Sequence, residues 1–225
     1  MKKLILIMFM MVSTVYANDI YITQSGATLD LDITQDGQNN TIGSSTTSSS
    51  IIGATTNFDI RQVGNSNVIT FDVNGANYTG TWAITGNSYN IDFKCDSGGS
   101  NSSCGTATAN ITWTGSSQDI DLDIGETSAA GNATVNITGA SGSDSNVVAA
   151  TIDGTSAILT LSVNGDTNNY LIDIDGNGDI NGHTLIHNHT GGIADVDITQ
   201  SGINDQMINL TTSGDNHDID ISQTD

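Results

Sequence analysis

Proline is absent from this chain of 225 residues, where average usage would supply about eleven. Proline cannot donate to a strand ladder, so its absence leaves every stretch free to be an interior strand. Positive charge is nearly as scarce: four Lys and Arg stand against 25 Asp and Glu, for a net charge of −21. Phosphate recognition runs on Lys and Arg, which excludes nucleic acid as a natural partner. Aromatic residues make up 5% of the chain. That predicts no large aromatic core and leaves burial to Ile, Val and Leu, with Gln, Asn, Ser and Thr between them. Long apolar runs are also missing. The stretch Leu4 to Val12 falls far short of the ~20 residues a membrane-spanning helix needs. With Lys2 and Lys3 before it and Val15-Tyr16-Ala17 after it, it reads as a secretory signal over residues 1–17. The exported chain then starts near Asn18, has no membrane-spanning segment and is extracellular, with Arg61 and Lys94 its remaining cations. High charge with low hydrophobicity also suits disorder, but a disordered tract has no reason to keep a periodic face.

What the chain does have is glycine at regular steps. Gly26 and Gly37 are eleven residues apart, as are Gly64, Gly75 and Gly86, and again Gly154, Gly165 and Gly176. Gly202 and Gly214 keep a step of twelve. Between them lie alternating strips such as Leu29-Asp30-Leu31-Asp32-Ile33 and Tyr170-Leu171-Ile172-Asp173-Ile174. Alternation means strand, because successive side chains point to opposite faces. A short fixed period means stacked, near-identical units. Two eleven-residue steps close a coil, so the expected fold is all-β: strand–turn–strand repeats of about 22 residues forming a β-solenoid. About eighteen strands in roughly nine rungs, about 4.8 Å apart, are predicted. The glycines are assigned to turns, where a tight reversal needs φ above zero. Inward positions fall at Leu29, Leu31, Ile33 and Gln35 and resume at Asn40 across the turn. Gln62 to Asn67 and Val163 to Asn168 repeat that spacing, and Ile69, Phe71 and Val73 continue it.

Residues 18–225 read as one elongated domain with two loop insertions. The first, at about 43–57, carries the Ser/Thr run 44–50; the second, at about 94–108, carries Cys95 and Cys104. In an exported protein these two flank a loop suited to a disulfide at its base, the alternative being free thiols. Closing so small a ring contributes roughly 2.5–3 kcal/mol. Two thiolates without a neighbouring His make a poor metal site, and the spacing is not the redox Cys-x-x-Cys.

The tightest repeats carry Gln-x-Gly-x-x-Asn, in Gln35-Asp36-Gly37-Gln38-Asn39-Asn40 and Gln62-Val63-Gly64-Asn65-Ser66-Asn67. Partial copies begin at Gln24-Ser25-Gly26, Gln200-Ser201-Gly202 and Gly214-Asp215-Asn216-His217, and the last strip ends on Gln223. These motifs resemble the curlin repeat of bacterial curli subunits, over 20–42, 58–75 and 193–223. The resemblance implies a curli-like β-solenoid, secreted, that self-associates into functional amyloid fibres of the extracellular matrix and biofilm, serving adhesion. It also implies partners in a nucleator and outer-membrane export factors. Inward Gln24, Gln35, Asn40, Gln62, Asn67, Asn168, Gln200 and Gln223 would then stack as ladders along the fibre. The chain departs from the pattern where Val73, Ile84, Trp113, Val163 or Ile174 stands in place of Gln. Stacked amides and dry apolar rows support such a ladder on physical grounds, and uncapped end rungs would template another copy.

Other constellations have blander readings. Asp173, Asp175 and Asn177 have the spacing of a calcium loop, but Thr184 stands where the bidentate Glu is needed, so a turn is expected. His183, His187 and His189 could hold a transition metal; without an organised fourth ligand they read as a solvated strand edge. Asp119, Asp121 and Asp123 fall on the outward face with nothing to raise one pKa for acid catalysis, so no enzyme is expected. No cofactor is implied beyond calcium bridging outward carboxylates. The competing class is a monomeric binding module whose Thr/Asp/Asn face holds ice, glycan or a cell surface. Ice binding would want regular Thr-x-Thr rows on one face, and threonine is too scattered here, which argues against ice.

Overall fold

The computed structural model describes residues 19–37, 40–43, 49–64, 66, 68–95, 104–125, 130–175, 182–203 and 206–224. The predicted signal segment, 1–17, lies outside them. The strands are β1 (Asp19–Ile20), β2 (Thr23–Asp36), β3 (Thr41–Ile42), β4 (Ser49–Val63), β5 (Val68–Thr85), β6 (Asn90–Cys95), β7 (Thr106–Thr114) and β8 (Asp119–Ile124). They continue with β9 (Ala130–Gly139), β10 (Val147–Asn164), β11 (Asn168–Asp175), β12 (Thr184–Thr190), β13 (Ala194–Ser201), β14 (Met207–Ser213) and β15 (Asp218–Thr224). Every ladder is parallel. The chain is a β-solenoid. One face stacks β1, β3, β5, β6, β8, β10, β11, β13 and β15; the other stacks β2, β4, β5, β7, β9, β10, β12 and β14. β2, β4, β5 and β10 turn the corner and serve both, since 23–25 of β2 and 49–52 of β4 stack in register with the first part of β5.

The coil length differs from the expected 22 residues. Ser49 pairs with Phe71, a step of 22, but Thr23 pairs with Ser50, a step of 27, and Asn77 with Thr106, a step of 29. Seven such steps lead from β2 to β14, averaging about 25 residues. The extra residues fall between strands and not within the ladders, and chain length between strands costs little. The two insertions are accordingly narrower than expected: β4 already runs from Ser49 and β7 from Thr106, so 49–57 and 106–108 are strand. Residues 44–48 and 96–103 lie outside the described set.

β-branched side chains suit a pleated, stacked surface, and with Tyr170 they form a continuous column. Ile20, Ile42, Ile69, Ile91, Ile120, Val148, Tyr170, Val196 and Ile219 succeed one another in register. Each such side chain, once buried, contributes roughly 1.5–3 kcal/mol. The few aromatics do build a core, against expectation, because stacking gathers them. Phe58 lies 4.3 Å from Phe71 and 6.2 Å from Trp82, which lies 5.3 Å from Phe93. Trp113 fits because its neighbour is Gly139; a Cβ there would fall 2.5 Å from the indole.

The eleven-residue glycine step is half a coil, so successive glycines sit at opposite corners. Gly37, Gly64, Gly86 and Gly214 have the positive φ expected of turns, at 147°, 153°, 142° and 142°. Gly26, Gly75 and Gly154 do not: they lie inside β2, β5 and β10 with ordinary φ. At Gly75 close approach of backbones demands glycine, since a Cβ there would lie 1.8 Å from the Gly53 carbonyl oxygen. Gly165 and Gly202 likewise lack positive φ, and Gly176 is outside the described residues.

Candidate functional site

The inward amides fall into two columns and one corner. Gln24 begins a column that continues through Ile51, Val73, Cys95, Ile124, Ile152 and Ile174 to Gln200 and Gln223. Gln35 and Gln62 begin the second, followed by Ile84, Trp113, Gly139, Val163, His189 and Thr212. The residues expected to replace Gln therefore do occupy amide columns. The ladder is not continuous, however. Amides meet at one end of each column only: at the start of the second, where Gln35 stacks on Gln62, and at the end of the first, where Gln200 stacks on Gln223. Gln62 Nε2 donates to Gln35 Oε1 at 2.7 Å, and Gln223 Nε2 to Gln200 Oε1 at 3.1 Å. Gln35, Gln62 and Gln200 are buried, whereas Gln24 is half-buried and Gln223 exposed on the last strand.

At the corner, buried Asn40 and Asn168 belong with two amides the sequence reading missed, Gln118 and Asn146. Asn146 Nδ2 donates to Asn168 Oδ1 at 2.9 Å, and the Gln118 backbone N–H donates to Asn146 Oδ1 at 2.9 Å. Gly115-Ser116-Ser117-Gln118 repeats the spacing of Gly37 to Asn40, so the signal for Gln118 was present. Asn67 lies outside the described residues.

Cys95 and Cys104 are disulfide-bonded, yet not at an exposed loop base. Both are fully buried, and Cys95 occupies the core column between Val73 and Ile124. A thiolate reductant needs access to the sulfur. Dithiothreitol alone is therefore expected to leave the native bond intact, while denaturant plus dithiothreitol opens it, with intact mass reading the gain of two hydrogen atoms. Rapid reduction of the native protein would contradict the burial.

His183, His187 and His189, expected at a solvated edge, are buried at 0%, 0% and 1% exposure. In Thr184-Leu185-Ile186-His187-Asn188-His189 apolar residues occupy both parities, so alternation does not say which face is inward. Register with β10 decides it: Leu185, His187 and His189 stack on Leu159, Leu161 and Val163. Burial depresses the His187 pKa to about 3, with His189 adding to the effect. His189 is also lowered, by burial first and then by His217. Its Nδ1 lies 3.0 Å from the Tyr170 hydroxyl. Among the described residues no group of three or more His, Cys, Asp or Glu is arranged to hold a metal ion.

The two outer faces differ in chemistry. On the first, aspartates stack as the alternation predicted: Asp92 on Asp121, Asp195 on Asp218 and Asp197 on Asp220. Lys94 sits between Asp72 and Asp123 and pairs with Asp123 at 2.7 Å. Against the expectation that nothing would raise one of these carboxyls, partial burial raises that of Asp121 above the usual range, and Asp123 and Asp92 add to this. Asp173 is raised by burial and then by Asp175; the remainder of that expected turn, 176–180, is outside the described residues. On the second face threonines separated in sequence become neighbours. Thr79, Thr108 and Thr134 form one row, Thr112 and Thr138 another, and Thr85 and Thr114 a third.

The stack also has two unpaired edges among the described residues. β14 pairs only with β12 and β15 only with β13, while β2 pairs only with β4. Met207, Ile219 and Ile221 are exposed at 48%, 38% and 49% on the last coil. A row of free backbone groups beside apolar side chains is a template for further strands.

Together these features define a parallel β-solenoid with amide pairs towards its ends and chemically distinct faces. No family model matches the chain, and neither a curated protein nor a solved structure is similar to it. No helix of the described residues is long and apolar enough to cross a membrane.

Proposed function

We propose that the protein is a secreted, curli-like structural fibre subunit that self-associates end to end and contributes to extracellular matrix, adhesion or biofilm. One observation carries the reading: the Gln35–Gln62 and Gln200–Gln223 amide bonds lie towards the unpaired edges of the stack. An amide ladder interrupted inside one copy by Ile, Val and Trp can thus resume between copies, beside apolar Ile219 and Ile221. A nucleator and outer-membrane export factors are the partners this function calls for. A second reading, a secreted binding module, is favoured by the uncharged threonine face.

Quiescent incubation of residues 18–225 is expected to give unbranched fibres that bind amyloid dyes. They should diffract at about 4.7–4.8 Å and about 10 Å. Replacing Ile219 and Ile221 with Lys places charge on one edge and should stop elongation while leaving the monomer folded, as read by electron microscopy and circular dichroism. A wild-type monomer that persists at high concentration for days would overturn the proposal.

A further inference from the structure

The second face is distinguished by what it excludes. From Thr79 on β5 through β7, β9 and β10 to Thr190 on β12, no outward residue of that face is charged. In a chain of net charge −21, five stacked strands without one carboxylate are a marked segregation, since the opposite face collects aspartates. Every described aromatic ring except Tyr21 is buried, so this face has no ring on which a sugar could stack. What it presents is mainly threonine, each with one methyl and one hydroxyl, plus asparagines such as Asn110 and Asn136, whose amides are bonded to each other at 2.9 Å.

In-register parallel stacking makes these groups a two-dimensional array. Neighbouring strands repeat at about 4.8 Å, and outward positions along a strand repeat every two residues, at about 6.7 Å. Both repeats come close to oxygen spacings on the faces of hexagonal ice. The array is also rigidly backed, because Trp82, Ile111, Trp113 and Ile137 beneath it are buried. Hydroxyls held at lattice spacing anchor first-shell water at small entropic cost, and the methyls between them shed disordered water. Carboxylates, which impose their own hydration, are absent.

We propose that this face, on β5, β7, β9, β10 and β12, binds the surface of an ice crystal. The inference deepens the binding-module reading and does not depend on fibre growth, because the face lies along the side of the stack and not at its edges. The test uses freshly purified monomer, verified by light scattering. Ice grown slowly on a cold finger from the protein solution is expected to retain the wild type, and its crystals to be shaped and resist recrystallisation. Thr112→Lys with Thr138→Lys, at the centre of the array, should return the protein to the liquid phase. The matching pair Thr151→Lys with Thr199→Lys, on the aspartate face, should leave retention unchanged. Thermal melting of both variants reads folding. Exclusion of the wild type from ice, equal loss in both variants, or retention on crystalline cellulose or chitin but not on ice would each overturn the proposal.

Discussion

Lowering the pH from about 6.5 towards 3 is expected to strip stability from the coils formed by β11, β12 and β14. His187 lies between Leu161 and Leu210 with both ring nitrogens unpaired, and its folded pKa is about 3. The ordinary value of about 6.5 applies in the unfolded chain. Above 6.5 neither state binds the proton, and the stability is intact. Below it the unfolded chain takes a proton that the folded core refuses, so stability falls until the pH reaches the folded value. At about 1.4 kcal/mol per pH unit, His187 alone removes roughly 2–3 kcal/mol between pH 6 and 4. His189 acts in the same direction. The raised carboxyls of Asp121 and Asp173 act oppositely, since the folded state binds their protons more readily as pH falls. They sit on the outer face, so they soften acid loss without relieving the buried imidazoles. Urea unfolding across this range should show the slope, and His187→Leu should flatten it. Identical pH profiles for wild type and His187→Leu would refute the account.

Gly86→Ala is expected to be among the most damaging single changes. At Gly86 φ is 142°, and a Cβ would fall 1.5 Å from the carbonyl oxygen of Gly64 in the neighbouring coil. Backbone cannot swing aside as a side chain can. The strain of that φ for a non-glycine residue is about 1–3 kcal/mol, and separating two coils adds lost hydrogen bonds and packing. A loss above about 4 kcal/mol is therefore expected. Gly142→Ala provides the comparison: its φ of 82° is also positive, but a Cβ there meets nothing within 4 Å. It should show the strain alone. Urea midpoints of the two variants decide the matter, and equal losses would mean that the close approach of the coils is not what Gly86 secures.

Much of this architecture was legible in the sequence, because strand parity is a local property. Leu29-Asp30-Leu31-Asp32-Ile33 can alternate only one way, and the half-coil step is written in Gly64, Gly75 and Gly86. The same parity located Val73, Ile84, Trp113, Val163 and Ile174 in amide columns before their neighbours were known. Where parity is ambiguous, as from Leu185 to His189, the sequence assigned three buried histidines to solvent. Coil length was not legible either, since the chain between strands absorbs insertions at little free-energy cost and steps vary from 22 to 29 residues. Register follows from coil length, and everything that depends on register was decided by the tertiary structure alone. It set Cys95 into a core column, gathered scattered rings around Trp82, left most of the amide ladder to hydrocarbon, and aligned threonines 26 and 29 residues apart into one uncharged face. Side-chain direction is determined within a few residues, whereas side-chain neighbours along a stack are determined by how much chain lies between strands.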